Sequence, residues 1–123
     1  DLGPGENSGF KITSYILLIV YYLLESDFEK CINKINSLNI FSNRNLFPQS
    51  RNERDIKMSI KLKTICQSEF NSNVISKTID LPSRSEIYKY HQYKFGIFQH
   101  EIIPYEDLWE MILEILPNKP YYA

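Results

Sequence analysis

The sequence predicts an α+β fold: two N-terminal helices (or one long helix), a small and mostly antiparallel sheet of about three strands, and one C-terminal amphipathic helix. Three observations predict it. Residues 15–24 (YILLIVYYLL) form a continuous apolar run. Residues 56–62 alternate apolar and polar side chains, the period of a half-buried strand. Residues 104–117 carry a helical apolar period between two prolines.

The first nine residues (DLGPGENSG) hold three glycines, a proline and no apolar period, so they read as a flexible lead-in or an appended remnant. Residues 10–123 then form a single α+β domain, a length that suits one core. The chain begins at Asp1 rather than Met, which points to a domain excised from a larger protein. A helix is expected over residues 12–25. Its apolar run is shorter than the roughly 20 residues a membrane span needs, and it lacks a basic flank or a cleavage site. A fully buried helix is therefore expected, with no membrane partner.

Ser26-x-x-Glu29 has the form of a capping box that opens a second helix over residues 27–38. Leu17, Tyr21, Leu24, Phe28, Cys31, Ile35 and Leu38 are also spaced alternately four and three apart, a seam that one unbroken helix would present. Residues 39–54, rich in Asn, Ser and Arg, read as a long loop. In the first strand, Ile56, Met58, Ile60 and Leu62 alternate with Lys57, Ser59, Lys61 and Lys63. A turn over 68–73 leads to a second strand over 74–81, with Ile75, Ile79 and Leu81 on one face. The tyrosines and phenylalanines of residues 83–99 favour a third strand, although Ser83-x-x-Glu86 and Gly96 would also suit a helix. Pro104 opens the last helix, Glu106 and Asp107 suit its positive end, and Pro117 closes it.

The hydrophobic share is 43% and the aromatic share 14%, enough for a core. A net charge of −1 gives no whole-chain field to recruit nucleic acid or anionic lipid. Cys31 and Cys66 stand 35 positions apart with no neighbouring His, which fits neither a zinc nor a redox motif. Buried free thiols and an intracellular setting, nuclear or cytoplasmic, follow as expectations.

No phosphate loop, nucleophile elbow or zinc-protease motif occurs in the sequence. His91 and His100 begin no metal motif, and nothing singles out an acid pair among Glu86, Glu101, Glu106 and Glu110. No cofactor and no metal are expected, and the chain reads as a non-enzyme, with an enzyme fragment as the last alternative. A nucleic-acid interface is the first alternative. Lys57, Lys61 and Lys63 would line a basic strand face, with tyrosines beside it to stack bases.

The favoured expectation is a protein–protein interaction domain that recruits or scaffolds another protein. Its contact surface would join Arg44, Arg51 and Arg54 to Tyr88 and Tyr90. The arginines would supply bidentate contacts to carboxylates, and the tyrosines amphipathic area. Tyr105-x-x-x-Trp109-x-x-Ile112 resembles the aromatic-x-x-x-Trp-x-x-aliphatic pattern of acidic activation segments, and Asp107-Leu108-Trp109 resembles a tumour-suppressor transactivation segment. The resemblance covers about eight residues and would imply docking into a partner groove. Beside an apolar N-terminal helix, the face bearing Trp109 has an internal use, so Trp109 is expected in the core.

Overall fold

The structure is a computed structural model and describes residues 4–46, 53–83, 101 and 103–117. Among them it is helical, with no strand, and this overturns the expected α+β architecture. The described residues form four α-helices: α1 (Pro4–Leu24), α2 (Phe28–Asn45), α3 (Glu53–Gln67) and α4 (Tyr105–Ile115). Among the described residues a 3-10 turn, Ser72–Val74, lies between α3 and α4. α1 pairs with α2, α2 with α3, and α4 rests on α1. Side-chain contacts from Arg54 and Lys61 of α3 to Glu106 and Trp109 of α4 close the ring of helices.

α1 begins at Pro4, inside the expected lead-in, and buries Ile12, Ile16, Ile19 and Leu23 at helical spacing. It is not buried all round as expected. Phe10, Leu17, Tyr21 and Leu24 remain 52–63% exposed. The seam read from the sequence therefore divides: Leu17, Tyr21 and Leu24 lie outside, while Cys31, Ile35 and Leu38 lie in the core.

The division happens at Ser26, where φ is 57°. Asp27 N–H donates to Tyr22 O (2.9 Å) and Ser26 N–H to Leu23 O (3.0 Å), the paired bonds of a Schellman helix end. Asp27, rather than Ser26, then caps α2 by accepting the Lys30 N–H at 3.2 Å. Two helices result, not one.

α2 runs seven residues past its expected end, to Asn45. The Asn and Ser side chains that suggest a loop are absorbed by the helix. Asn39 and Asn45 donate to Ile35 O and Phe41 O, each at 3.0 Å, and Ser37 donates to Asn33 O at 2.9 Å.

The expected strand over 56–62 is the middle of α3. Its buried positions are Arg54, Asp55, Met58, Ser59, Leu62 and Ile65, a helical face that is half polar. Each polar member has a buried partner, which removes the penalty of leaving it dry and unpaired. Ser59 Oγ donates to Ser42 Oγ of α2 at 3.2 Å. Ile60, an inward position of the strand reading, is exposed.

α3 ends as α1 does. Phe70 N–H donates to Ile65 O (3.0 Å) and Glu69 N–H to Cys66 O (3.1 Å), with φ of 55° at Glu69 and 61° at Phe70. This turn sends Phe70 into the core against Phe28, with ring centroids 4.8 Å apart. The second expected strand is instead the 3-10 turn followed by irregular chain, from which Ile75, Ile79 and Leu81 reach the core. The expected third strand, residues 83–99, lies outside the described residues except for Ser83. The C-terminal helix is present. Trp109 lies in the core at 1% exposure, together with Tyr105, Leu108 and Ile112.

Candidate functional site

Two features converge where α1, α3 and α4 meet: a buried arginine clasp and an apolar pocket that opens beside it.

Arg54 stands in the first turn of α3 and is 1% exposed. Its Nε–H donates to Glu101 Oε2 at 3.2 Å, and Nη2 donates to Glu101 Oε1 at 2.6 Å. Nη2 also donates to Glu106 Oε1 at 2.5 Å, while Nη1 donates to Glu106 Oε2 at 3.0 Å and to Pro82 O at 2.7 Å. These five bonds match the five N–H donors of a guanidinium. Burial alone works against the charge on Arg54. The hydrogen bonds and charges of Glu101 and Glu106 outweigh it and hold the pKa above its ordinary value.

Glu101 Oε1 also accepts the Tyr105 N–H at 2.8 Å, at the start of α4. The Tyr105 hydroxyl donates to Asp55 Oδ1 at 2.5 Å. Burial, followed by the Asp55 charge, pushes the Tyr105 phenol well above its usual range. The clasp therefore fixes the position of Glu101 and the first turn of α4 against α3.

The pocket holds about 220 Å³ between α1 and α4. Ile16 and Thr13 of α1 line it on one side and Tyr105 and Leu108 of α4 on the other, with Leu17 and Ile103 exposed where it opens. Glu101 also lines it, but both carboxylate oxygens are engaged by Arg54 and the Tyr105 amide. The remaining surface is apolar. A dry apolar cavity of about 150 Å³ takes up a benzene ring. This pocket therefore has room for one bulky apolar side chain, but lies below the roughly 300 Å³ of ordinary small-molecule sites.

Along the outer face of α1, Phe10, Leu17, Tyr21 and Leu24 fall within about 60° of one another at 100° per residue, Leu17 at the pocket mouth. They occupy the flank that carries Thr13 and Leu17 into the pocket, while Tyr15 on the opposite flank meets Phe41 of α2. On α4, Met111 is exposed, and Asp107, Glu110 and Glu114 are exposed on the face opposite buried Tyr105, Leu108, Trp109 and Ile112 at 100° per residue. Among the described residues these three acids have no salt-bridge partner, and α4 contains no basic residue.

The residues expected to form a contact surface are not brought together. Arg54 is in the core, which removes it from any surface. Arg44 is exposed in the last turn of α2. Arg51, Tyr88 and Tyr90 lie outside the described residues, as do His91 and His100. The lysines share no strand face. Lys57 and Lys61 lie on one flank of α3, and Lys63 points about 160° from Lys61. Lys57 pairs with Glu53 at 3.3 Å, and Lys61 Nζ sits 5.1 Å from the Trp109 ring centroid, where burial lowers its pKa.

The α1 stripe is the feature sequence reasoning missed. Its signal is an apolar run with more faces than one neighbouring layer can cover. No helix among the described residues is long and apolar enough to cross a membrane. No family model, curated protein or solved structure matches the chain.

Proposed function

We propose that this chain is a protein-interaction domain, with a binding rather than a catalytic role, and that its contact surface is the outer face of α1 beside α4. One observation carries the reading: Leu17, Tyr21 and Leu24 stay more than half exposed along one line of a helix whose opposite face is core. A contiguous apolar stripe of this kind marks a binding site on a soluble domain more often than chance exposure does. The pocket supports the reading, because interface energy concentrates where an anchor side chain enters a concave site. The engaged state of Glu101 and Glu106 supports binding over acid–base chemistry, because both carboxylates are committed to Arg54.

The test is capture of proteins by the immobilised chain, compared with the double variant Leu17→Glu, Leu24→Glu. Both positions are exposed, so the variant is expected to fold, with the emission of the sole tryptophan as the check. Proteins held by the native chain should be lost by the variant and kept by Arg44→Glu. An unchanged set of captured proteins would show that the α1 face is not the contact surface.

A further inference from the structure

We infer that this chain also binds single-stranded nucleic acid, along a cationic and aromatic groove on the outside of the α1–α2 pair. On α1 the groove lies about 130° around the helix from the stripe of Leu17, Tyr21 and Leu24, at 100° per residue. The inference therefore adds a second face and stands apart from the proposed interaction role.

Contacts between the two helices fix the parts of this groove. Lys11 Nζ of α1 sits 5.7 Å from the Phe41 ring centroid of α2, and Lys34 Nζ of α2 sits 5.5 Å from the Tyr15 ring centroid of α1. Lys30 Nζ lies 6.0 Å from the Tyr22 ring centroid. Tyr15 and Phe41 meet with 5.7 Å between centroids. Cations and rings thus alternate across the seam. On α2, Lys30, Lys34, Phe41 and Arg44 fall within about 80° of one another, in a row about 21 Å long at 1.5 Å per residue. The three rings are half-buried against the core, while Lys11, Lys30 and Arg44 are exposed.

The charge along the groove has one sign. Residues 10–24 of α1 and 30–45 of α2 contain no Asp or Glu. Glu25 and Asp27 stand at the α1–α2 turn, where Asp27 pairs with Lys30 at 3.6 Å. Among the described residues Lys11, Lys34 and Arg44 have no salt-bridge partner. A chain of net charge −1 attracts a polyanion only through a local patch, and this groove supplies one.

Charge density selects the occupant. A duplex presents one charge per ~1.7 Å, roughly twelve along 21 Å, and one strand presents a charge per ~3.4 Å, roughly six. The cations of the groove come closer to the count of a single strand. A single strand also alternates phosphates with unpaired bases, which stack on aromatic side chains while Lys and Arg track the backbone. A carboxylate-rich protein segment would match the charge without a regular run of rings to set against Tyr15, Tyr22 and Phe41.

The experiment measures binding of the full chain to a fluorescein-labelled strand of about 12 deoxythymidines, by anisotropy across a salt series. With Lys11, Lys34 and Arg44 each neutralising one phosphate, the slope of log affinity against log salt should be about −2, a loss of about twentyfold between 50 and 200 mM salt. Lys11→Gln, Lys34→Gln and Arg44→Gln should each flatten that slope by about 0.7. Tyr22→Leu should weaken binding about fivefold or more and leave the slope unchanged. Lys57→Gln with Lys63→Gln, on α3, should change neither. Trp109 emission checks the fold of each variant. Lys11→Gln and Arg44→Gln, both at exposed positions, carry the test if Lys34→Gln disturbs it.

Absence of binding at 50 mM salt would overturn the inference. Binding that survives the groove variants would overturn it as well, as would tighter binding of the same strand in duplex form. Displacement of the strand by polyglutamate at equal charge concentration would overturn it in favour of an acidic protein partner. The α1 stripe is decided separately, by the capture comparison.

Discussion

Arg54 and Glu101, 47 positions apart, meet side-on in the core, with Nε to Oε2 at 3.2 Å and Nη2 to Oε1 at 2.6 Å. Both side chains are almost wholly buried. The same carboxylate takes the first amide of α4, so one residue couples the start of α3 to the start of α4.

Replacing Arg54 with Met should destabilise the fold by about 3–5 kcal/mol, because Glu101 is left buried without its counter-charge. Arg54→Lys should also be costly, since an ammonium cannot supply two forked pairs and a carbonyl contact at once. Removing both partners, in Arg54→Met with Glu101→Met, should cost less than Arg54→Met alone. Urea unfolding followed by Trp109 emission measures all three. A loss below about 1 kcal/mol for Arg54→Met would mean that the clasp does not hold the helices together.

Ser26 and Glu69 occupy left-handed positions at two helix ends, with φ of 57° and 55°. A side chain is disfavoured there and glycine is not. Ser26→Gly and Glu69→Gly should each stabilise the protein by about 0.5–1 kcal/mol, and together they should add. Thermal unfolding of the two single variants and the double variant provides the check. Ala at either site should destabilise relative to Gly.

Tyr105→Phe keeps the ring and removes the hydroxyl that donates to Asp55, which should cost about 1–3 kcal/mol. The phenol also sets a pH response. Its pKa is higher in the folded chain than the ordinary value near 10. Its contribution to stability is therefore complete below pH ~10 and declines as pH climbs toward the folded value. Spectrophotometric titration should show one tyrosine ionising later than the rest. Alkaline destabilisation should be weaker in Tyr105→Phe.

Cys31 is fully buried, and burial, with smaller effects from Cys66 and Asp27, pushes its thiol up to about 12. Cys66 is half-buried and shifts in the same direction, chiefly through burial. At pH 8 the Cys31 thiolate should be rarer than in a free cysteine by about a thousandfold or more. Alkylation with mass readout should find Cys31 untouched in the folded chain, Cys66 slow, and both reactive in urea. Fast labelling of Cys31 would mean that α2 opens readily.

How much of this was legible depended on where the buried face put its polar residues. α4 was legible because two prolines bound it and its apolar period is clean. α3 carries a strand-like pattern because Arg54, Asp55 and Ser59 take three core positions. Counting only apolar residues left Ile56, Met58, Ile60 and Leu62 as an alternation. The helical signal, Met58, Leu62 and Ile65 at intervals of four and three, was present but outvoted. The ends of α1 and α3 were obscured because neither carries the glycine that usually marks such a turn.

The site was harder still. Whether an arginine is a surface probe or a core clasp depends on Glu101 and Glu106, 47 and 52 positions away, and no local pattern encodes that distance. In α1 the apolar run was visible, but how many of its faces find a neighbour is settled only by the number of helices around it.

One guanidinium also holds the two ends of a long stretch of chain. Arg54 grips the Pro82 carbonyl on one side and the Glu101 carboxylate on the other. These contacts join α3 to the chain on both sides of that stretch, and Glu101 passes the link on to the first amide of α4. A chain split after Ser83 should reassemble from two separately expressed pieces, the smaller one docking through Glu101, Glu106 and the Trp109 face. The same junction should accept an inserted reporter domain, making this fold a natural two-part complementation scaffold.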